Sequence, residues 1–181
     1  MNKIVNIGIQ TNWKQLSNFY HLKWLRIDDE KWLSVEHYIQ AQKYIDHVKY
    51  YNIIKACDSS IKAFAIGEQD PNIWTADVKV NNGEYSHLTV REVIIEMLES
   101  KIKIRDNWKG ICETLLKKAI IQKLSQFHDI CNLLINTYNI PICYDDLIIS
   151  RHFTTINHST CLILYKLRDQ IYINLKGNYY L

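Results

Sequence analysis

Glu36, Gln40 and Lys43 stand four and then three residues apart in the run Ser34-Val35-Glu36-His37-Tyr38-Ile39-Gln40-Ala41-Gln42-Lys43-Tyr44. On an α-helix that spacing puts a carboxylate, an amide and an ammonium on one face, directed at one volume. Such a set can hold sugar hydroxyls and an anionic phosphate, and its carboxylate can stabilise a cationic, oxocarbenium-like sugar. A stripe of Glu, Gln and Lys is equally what a solvated helix face looks like, so both readings stand at this point. His37, on the same helix, reads as a structural histidine rather than a base. A metal site built from His37, His152 and His158 matches no standard zinc spacing, so neither a metal nor any other cofactor is expected.

The helix that must carry these residues has its own signals. Ser34 is a good N-cap, and Val35, Tyr38, Ile39, Gln42 and Ile45 recur at helical spacing, which predicts a helix from Val35 to Ile45. Upstream, Lys3 to Gln10 alternates β-branched residues and Leu22 to Leu33 reads as a hairpin turning at Asp28-Asp29-Glu30, together a small sheet. Downstream, apolar residues three and four apart predict helices over His47 to Ala56, Ser60 to Ile66, Leu88 to Lys103, Trp108 to Ser125 and Asp129 to Asn136. Gly67 to Gly83 reads as a long connection between two helical halves, placed to cover part of a site. Past Pro141, Ile140 to Tyr144 reads as a short strand and Thr160 to Leu175 as a closing helix with Leu162, Leu164 and Leu167 in the core. Its end, Ile171 to Leu175, fits a strand as well. The expected fold class is α+β: a predominantly helical single domain over residues 1–181 with a small β-sheet.

Composition narrows the functional classes. The chain has 181 residues, the usual length of one domain, and its 48% hydrophobic and 23% charged residues suit a packed core rather than a disordered chain. A net charge of +3 is too small and too dispersed for a dedicated nucleic-acid binder. The five cysteines (Cys57, Cys112, Cys131, Cys143 and Cys161) are odd in number and never spaced as C-x-x-C, which points away from a disulfide framework or zinc knuckle and toward a reducing, cytoplasmic setting. Met1 to Gln10 is too short and too mixed a run to read as a signal peptide, and no apolar stretch approaches the roughly 18 residues that a membrane span needs, so no membrane partner is expected.

The segment Leu16-Ser17-Asn18-Phe19-Tyr20, followed by the hairpin and then the Ser34 to Tyr44 run, resembles the "FSNFY" and "SVEHYxQAQKF" signature of the YbiA/NADAR family of N-glycosidases. The resemblance continues through Ile61 to Gly67, then Arg105-Asp106-Asn107-Trp108, which is similar to the family's R-x-D-W, then Lys123-Leu124 and the Leu133 to Thr137 stretch. It spans roughly Leu16 to Arg168. It implies a YbiA-like fold and the hydrolysis of an N-glycosidic bond, with Glu36 catalytic, Trp108 stacking on the departing base, and Ser17, Asn18, Phe19, Gln40, Lys43 and Arg105 lining the substrate site. Lys43 and Arg105 then grip phosphate. The implied partner is a small ribosylated or ADP-ribosylated substrate, or an ADP-ribosylated nucleic acid. Family members act on phosphoribosylamino-pyrimidine intermediates of riboflavin synthesis, and NADAR relatives on ADP-ribose chemistry, including removal of ADP-ribose from guanine.

The chain departs from the family in its last third. There the family has a C-terminal run E-x-S-x-x-D-x-x-W-G, followed by an asparagine and a helix ending in arginine. Placing Cys161 to Arg168 on that helix, with one residue inserted, sets Asp145 at the glutamate, Ser150 at the aspartate, Phe153 at the tryptophan and Thr154 at the glycine. Asp145 or Asp146 is then the expected second carboxylate, with Asp145 the catalytic candidate, and Phe153 a second ring in the substrate site. Loss of an acid or base typically costs about 10²–10⁴-fold in rate. The alternative expectation is therefore a catalytically impaired module that binds an ADP-ribose-like or nucleotide-like ligand.

Overall fold

The computed structural model describes residues 4–8, 11–72, 77–144 and 154–177. In chain order the elements are β1 (Val5–Ile7), a 3-10 turn (Lys14–Leu16), β2 (Leu25–Ile27), β3 (Glu30–Trp32), α1 (Val35–Gln42), α2 (Val48–Ala56), α3 (Ser60–Glu68), α4 (Val90–Glu99), α5 (Trp108–Gln126), α6 (His128–Ile135), β4 (Ile142–Tyr144) and α7 (Thr154–Gly177). Helix dominates and strand is minor, the α+β class expected. The elements form two compact units, one of His21–Leu115 and one of Met1–Tyr20 with Leu116–Leu181.

In the His21–Leu115 unit, β2 and β3 pair antiparallel across a two-residue turn, with Leu25 opposite Trp32 and Ile27 opposite Glu30. Asp28 and Asp29 both have positive φ, 53° and 62°. Aspartate tolerates that conformation because its short side chain can bond locally, and the resulting turn twists with the strands. Asp28 also accepts a 3.0 Å hydrogen bond from the Tyr38 hydroxyl, which ties the turn to α1. Ser34 caps α1 by accepting from the His37 amide, and Ser59 caps α3 in the same way through Lys62. Thr89 and Glu92 form a reciprocal capping box at the start of α4, which is why that helix begins at Val90 rather than at Leu88.

α1 packs on both α2 and α3. All eight of its residues are buried, among them Val35, Tyr38, Ile39 and Ala41. Ile45, placed by its spacing on the core face, lies beyond the helix and is 40% exposed. The stretch expected to be a connection begins later than Gly67, because Gly67 and Glu68 are the last two residues of α3 and Gln69, with φ 53°, is its left-handed cap. Farther along, the Asn81 side chain organises the turn, donating to Ala56 O at 2.9 Å and accepting from the amides of Gly83 and Tyr85.

In the other unit, β1 pairs in parallel with β4, Val5 opposite Ile142 and Ile7 opposite Tyr144. The strand expected at the N-terminus therefore forms, but its partner is the strand after Pro141, and the hairpin is a separate two-stranded sheet. α6 and α7 pack together, and α7 also packs on β4. α7 is helical through Ile171 to Leu175, the stretch that also fitted a strand. Of its three expected core leucines only Leu164 is buried, whereas Leu162 is 44% exposed. Ile163 and Arg168 take the inward positions, since a helix buries the stripe its neighbours fix and not every leucine in it. The Arg168 guanidinium donates to Thr137 O and Ile140 O, both at 2.8 Å, and closes the turn between α6 and β4.

Candidate functional site

The first question is whether the Glu36, Gln40 and Lys43 stripe faces water. It does not: Glu36 is 1%, Gln40 0% and Lys43 3% exposed. Buried polar groups are costly unless they are hydrogen-bonded, and buried charges unless they are paired. These are. Gln40 Nε2 donates to Glu36 Oε1 at 2.7 Å and to Glu68 Oε1 at 3.1 Å, and Lys43 Nζ forms an ion pair with Glu68. One amide thus bridges two carboxylates, and one ammonium neutralises the second of them. With both carboxylates ionised the group carries a formal negative surplus, suited to a developing cation.

The orientation of the Gln40 amide follows from this chemistry. Reversing it would turn its carbonyl oxygen toward two carboxylates, so the nitrogen must face them. The oxygen, Oε1, is buried with no hydrogen-bond partner among the described residues. It lies against Gly67, where an added Cβ would come within 2.0 Å of Oε1 and 2.8 Å of Gln40 Cβ and Cδ. A glycine here lets α1 and α3 approach closely enough for the amide to reach Glu68. The carbonyl of the same Gly67 accepts a 2.9 Å bond from the Tyr44 hydroxyl, locking the end of α3 to the end of α1.

Arg105 and Trp108 are held at the C-terminal end of α1. Lys43 O accepts from the Arg105 amide at 3.0 Å, and Arg105 O from the Trp108 amide at 3.1 Å, so one turn places both side chains. The Trp108 ring lies 5.9 Å from Lys43 Nζ. Arg105 is partly exposed and its Nε donates to Asn107 Oδ1 at 2.7 Å, which leaves the rest of its guanidinium for a ligand. Burial, and then the bond to Asp28, pushes the Tyr38 hydroxyl far above its ordinary range, with Arg105 acting as the opposing charge. Five of the expected residues and Glu68 therefore line one connected group in this unit.

His37, by contrast, is structural, as its place on the helix suggested. Its Nδ1 is 2.8 Å from Ser34 Oγ and its Nε2 is 3.0 Å from Cys57 O, and burial lowers its pKa from 6.5 to about 4. Among the described residues no three His, Cys, Asp or Glu side chains are grouped to hold a metal.

In the other unit Ser17, Asn18 and Phe19 are also buried, at 0%, 2% and 6% exposure. Asn18 Nδ2 donates to Thr160 Oγ1 at 2.9 Å, Ser17 Oγ accepts from the Phe19 amide at 3.1 Å, and Ser17 O accepts from Lys123 Nζ at 2.7 Å. Lys123 is fully enclosed, with the Tyr20 ring 5.8 Å away, and burial takes its ammonium from an ordinary 10.5 down to about 7. Ser17 to Phe19, expected to line the substrate site, form a turn anchored by the buried Phe19 ring, with the Tyr20 amide donating to Ser17 O at 3.2 Å.

Asp145, Asp146, Ser150, His152 and Phe153, the residues of the altered C-terminal run, lie outside the described residues. Glu68 is the residue that inspection of the sequence passed over. Its only signal was its place directly after Gly67, at a helix end facing the Gln40 turn of α1.

No protein-family profile and no curated protein matches the chain. Among solved structures it is similar to the NMR structure of the E. coli protein YbiA, at 21% identity over 96% of this chain and 88% of that one, with a TM-score of 0.65. That likeness establishes a YbiA-like fold. No helix among the described residues is long and apolar enough to cross a membrane.

Proposed function

We propose that the protein hydrolyses the N-glycosidic bond of a phosphoribosylated or ADP-ribosylated base. The observation that carries this reading is the burial of Glu36 in a hydrogen-bonded set with Gln40, Glu68 and Lys43. A helix that only needed to pack would gain more from apolar residues at these positions, because breaking even in a buried ionic network takes good geometry throughout. An enclosed carboxylate with a fixed hydrogen-bond donor is what stabilisation of an oxocarbenium-like sugar requires, since preorganised charge acts most strongly away from water.

In this reading Glu36 faces the sugar cation, with Gln40 setting its orientation. Arg105 takes an anionic oxygen of the ligand's phosphate, and Trp108 stacks on the base as the bond to the sugar lengthens. Lys43 serves mainly as the partner of Glu68. The YbiA-like fold and the motif around Glu36 supply the substrate classes to try: a phosphoribosylamino-pyrimidine and guanine-linked ADP-ribose.

The test is release of free base from each of these two compounds by the purified protein, followed by chromatography. Release from one of them supports the reading and selects the substrate class. Tight binding of ADP-ribose without release from either supports the alternative, a module that holds the ligand without cleaving it.

A further inference from the structure

Glycosidic hydrolysis ordinarily uses two carboxyl groups, one beside the sugar carbon and one that handles the proton. The sequence offered Asp145 for the second. Resting on the N-glycosidase reading, we propose that Glu68 fills this role as the general acid/base of the site, working beside Glu36.

Both carboxylates accept from the same nitrogen, Gln40 Nε2, at 2.7 and 3.1 Å, so their bonded oxygens can be no farther apart than those two bonds laid end to end, about 5.8 Å. Paired carboxyl groups in glycosidases are about 5–5.5 Å apart when both flank one sugar carbon and about 6.5–9.5 Å apart when a water fits between, so this pair can match only the shorter spacing.

The two carboxylates also differ in their access to solvent. Glu36 is 1% exposed, whereas the Glu68 side chain is 25% exposed. A walled-in carboxylate suits a fixed charge, and one that reaches solvent can exchange its proton on each turnover. Glu68 is also held in place. It ends α3 directly before the left-handed Gln69, whose own side chain is anchored on Ile102 O at 3.0 Å. Its partner Lys43 lies 5.9 Å from the Trp108 ring, which sets Glu68 near the ring proposed to hold the base.

The bond between the sugar carbon and the base nitrogen breaks with its electron pair going to nitrogen, while Glu36 stabilises the cation left on the sugar. Water adds its oxygen to that carbon and gives a proton to Glu68, which delivers it to the base nitrogen. The products are the sugar hydroxyl and the free N–H base.

The experiment measures base release from guanine-linked ADP-ribose and from the phosphoribosylamino-pyrimidine by the wild type, Glu68→Gln, Glu68→Asp and Glu68→Ala. Each is followed from acid to mildly alkaline pH, with and without sodium formate, beside thermal melts. On the compound that the wild type cleaves, Glu68→Gln is expected to slow release by about 10²–10⁴-fold and to abolish one limb of the pH profile. Formate, a small carboxylate that fits the space left by Glu68→Ala, is expected to restore part of the rate there. Glu68→Asp keeps a charge for Lys43 and is expected to melt like the wild type while losing rate, so it carries the test if Glu68→Gln fails to fold. Wild-type rates in Glu68→Gln or Glu68→Asp overturn the proposal while leaving the N-glycosidase reading standing. So does a slowed Glu68→Gln with an unchanged pH profile and no formate rescue of Glu68→Ala, which would make Glu68 only a brace for Lys43. No release by the wild type from either compound overturns both.

Discussion

Gln40 and Gly67 are in direct contact: the amide oxygen of one occupies the space where a Cβ on the other would stand, 2.0 Å away. That contact lets the Gln40 nitrogen face Glu36 and Glu68 together. Gly67→Ala must therefore push Gln40 out of place, and we expect a loss of about 1–3 kcal/mol in stability from the overpacking. In a Gln40→Ala background the same change should cost less, because the obstructing amide is gone. Urea unfolding of the four proteins measures this coupling, expected at about 0.5–3 kcal/mol. Additive costs would show that the amide yields freely.

Arg105 is partly exposed, and among the described residues its Nε bonds Asn107. Arg105→Ala should weaken ADP-ribose binding by about tenfold, near 1.4 kcal/mol, and leave the melting temperature within a degree or so of the wild type. Calorimetric titration with ADP-ribose checks it. Unchanged affinity would remove Arg105 from the ligand site.

Lys123 makes the stability depend on pH in a direction that can be worked out. Its pKa is about 7 when folded and an ordinary 10.5 when unfolded, so between those values the unfolded chain binds more protons. Stability then rises with pH across this window, and the full cost of the buried ammonium is present below about 7. Lys123→Met removes that cost together with a hydrogen bond to Ser17 O worth about 0.5–1.5 kcal/mol. We expect it to melt above the wild type at neutral pH and to lose the advantage as pH approaches 10.5. A difference that does not change with pH would mean that Lys123 stays charged with unrecognised support.

Much of this fold was legible in the chain because its signals are local. Asp28-Asp29 marked the hairpin turn, Ser34 marked the start of α1, and apolar spacing gave each of the seven helices among the described residues, though α7 begins at Thr154 and not Thr160. The parallel pairing of β1 with β4 was not legible, since nothing in Val5 to Ile7 names a partner more than a hundred residues on. Leu162 was misassigned to the core for a related reason: which stripe of α7 is buried depends on α6 and β4.

The candidate site was half legible. Spacing alone put Glu36, Gln40 and Lys43 on one face, but could not distinguish a solvated stripe from a buried one, because α2 and α3 decide that by packing around α1. Glu68 had little to mark it beyond its place after Gly67. Its role depends on a glycine that admits Gln40, a steric relation between two helices that no periodicity reports.

The most direct measurement compares the wild type with Glu36→Gln for release of free base from guanine-linked ADP-ribose and from a phosphoribosylamino-pyrimidine. Glutamine keeps the shape and can still bond Gln40, so melting should change little, while removal of the charge should slow release by about 10²–10³-fold. Equal release by the two proteins would contradict a charge-stabilising Glu36, and with it the function proposed for this site.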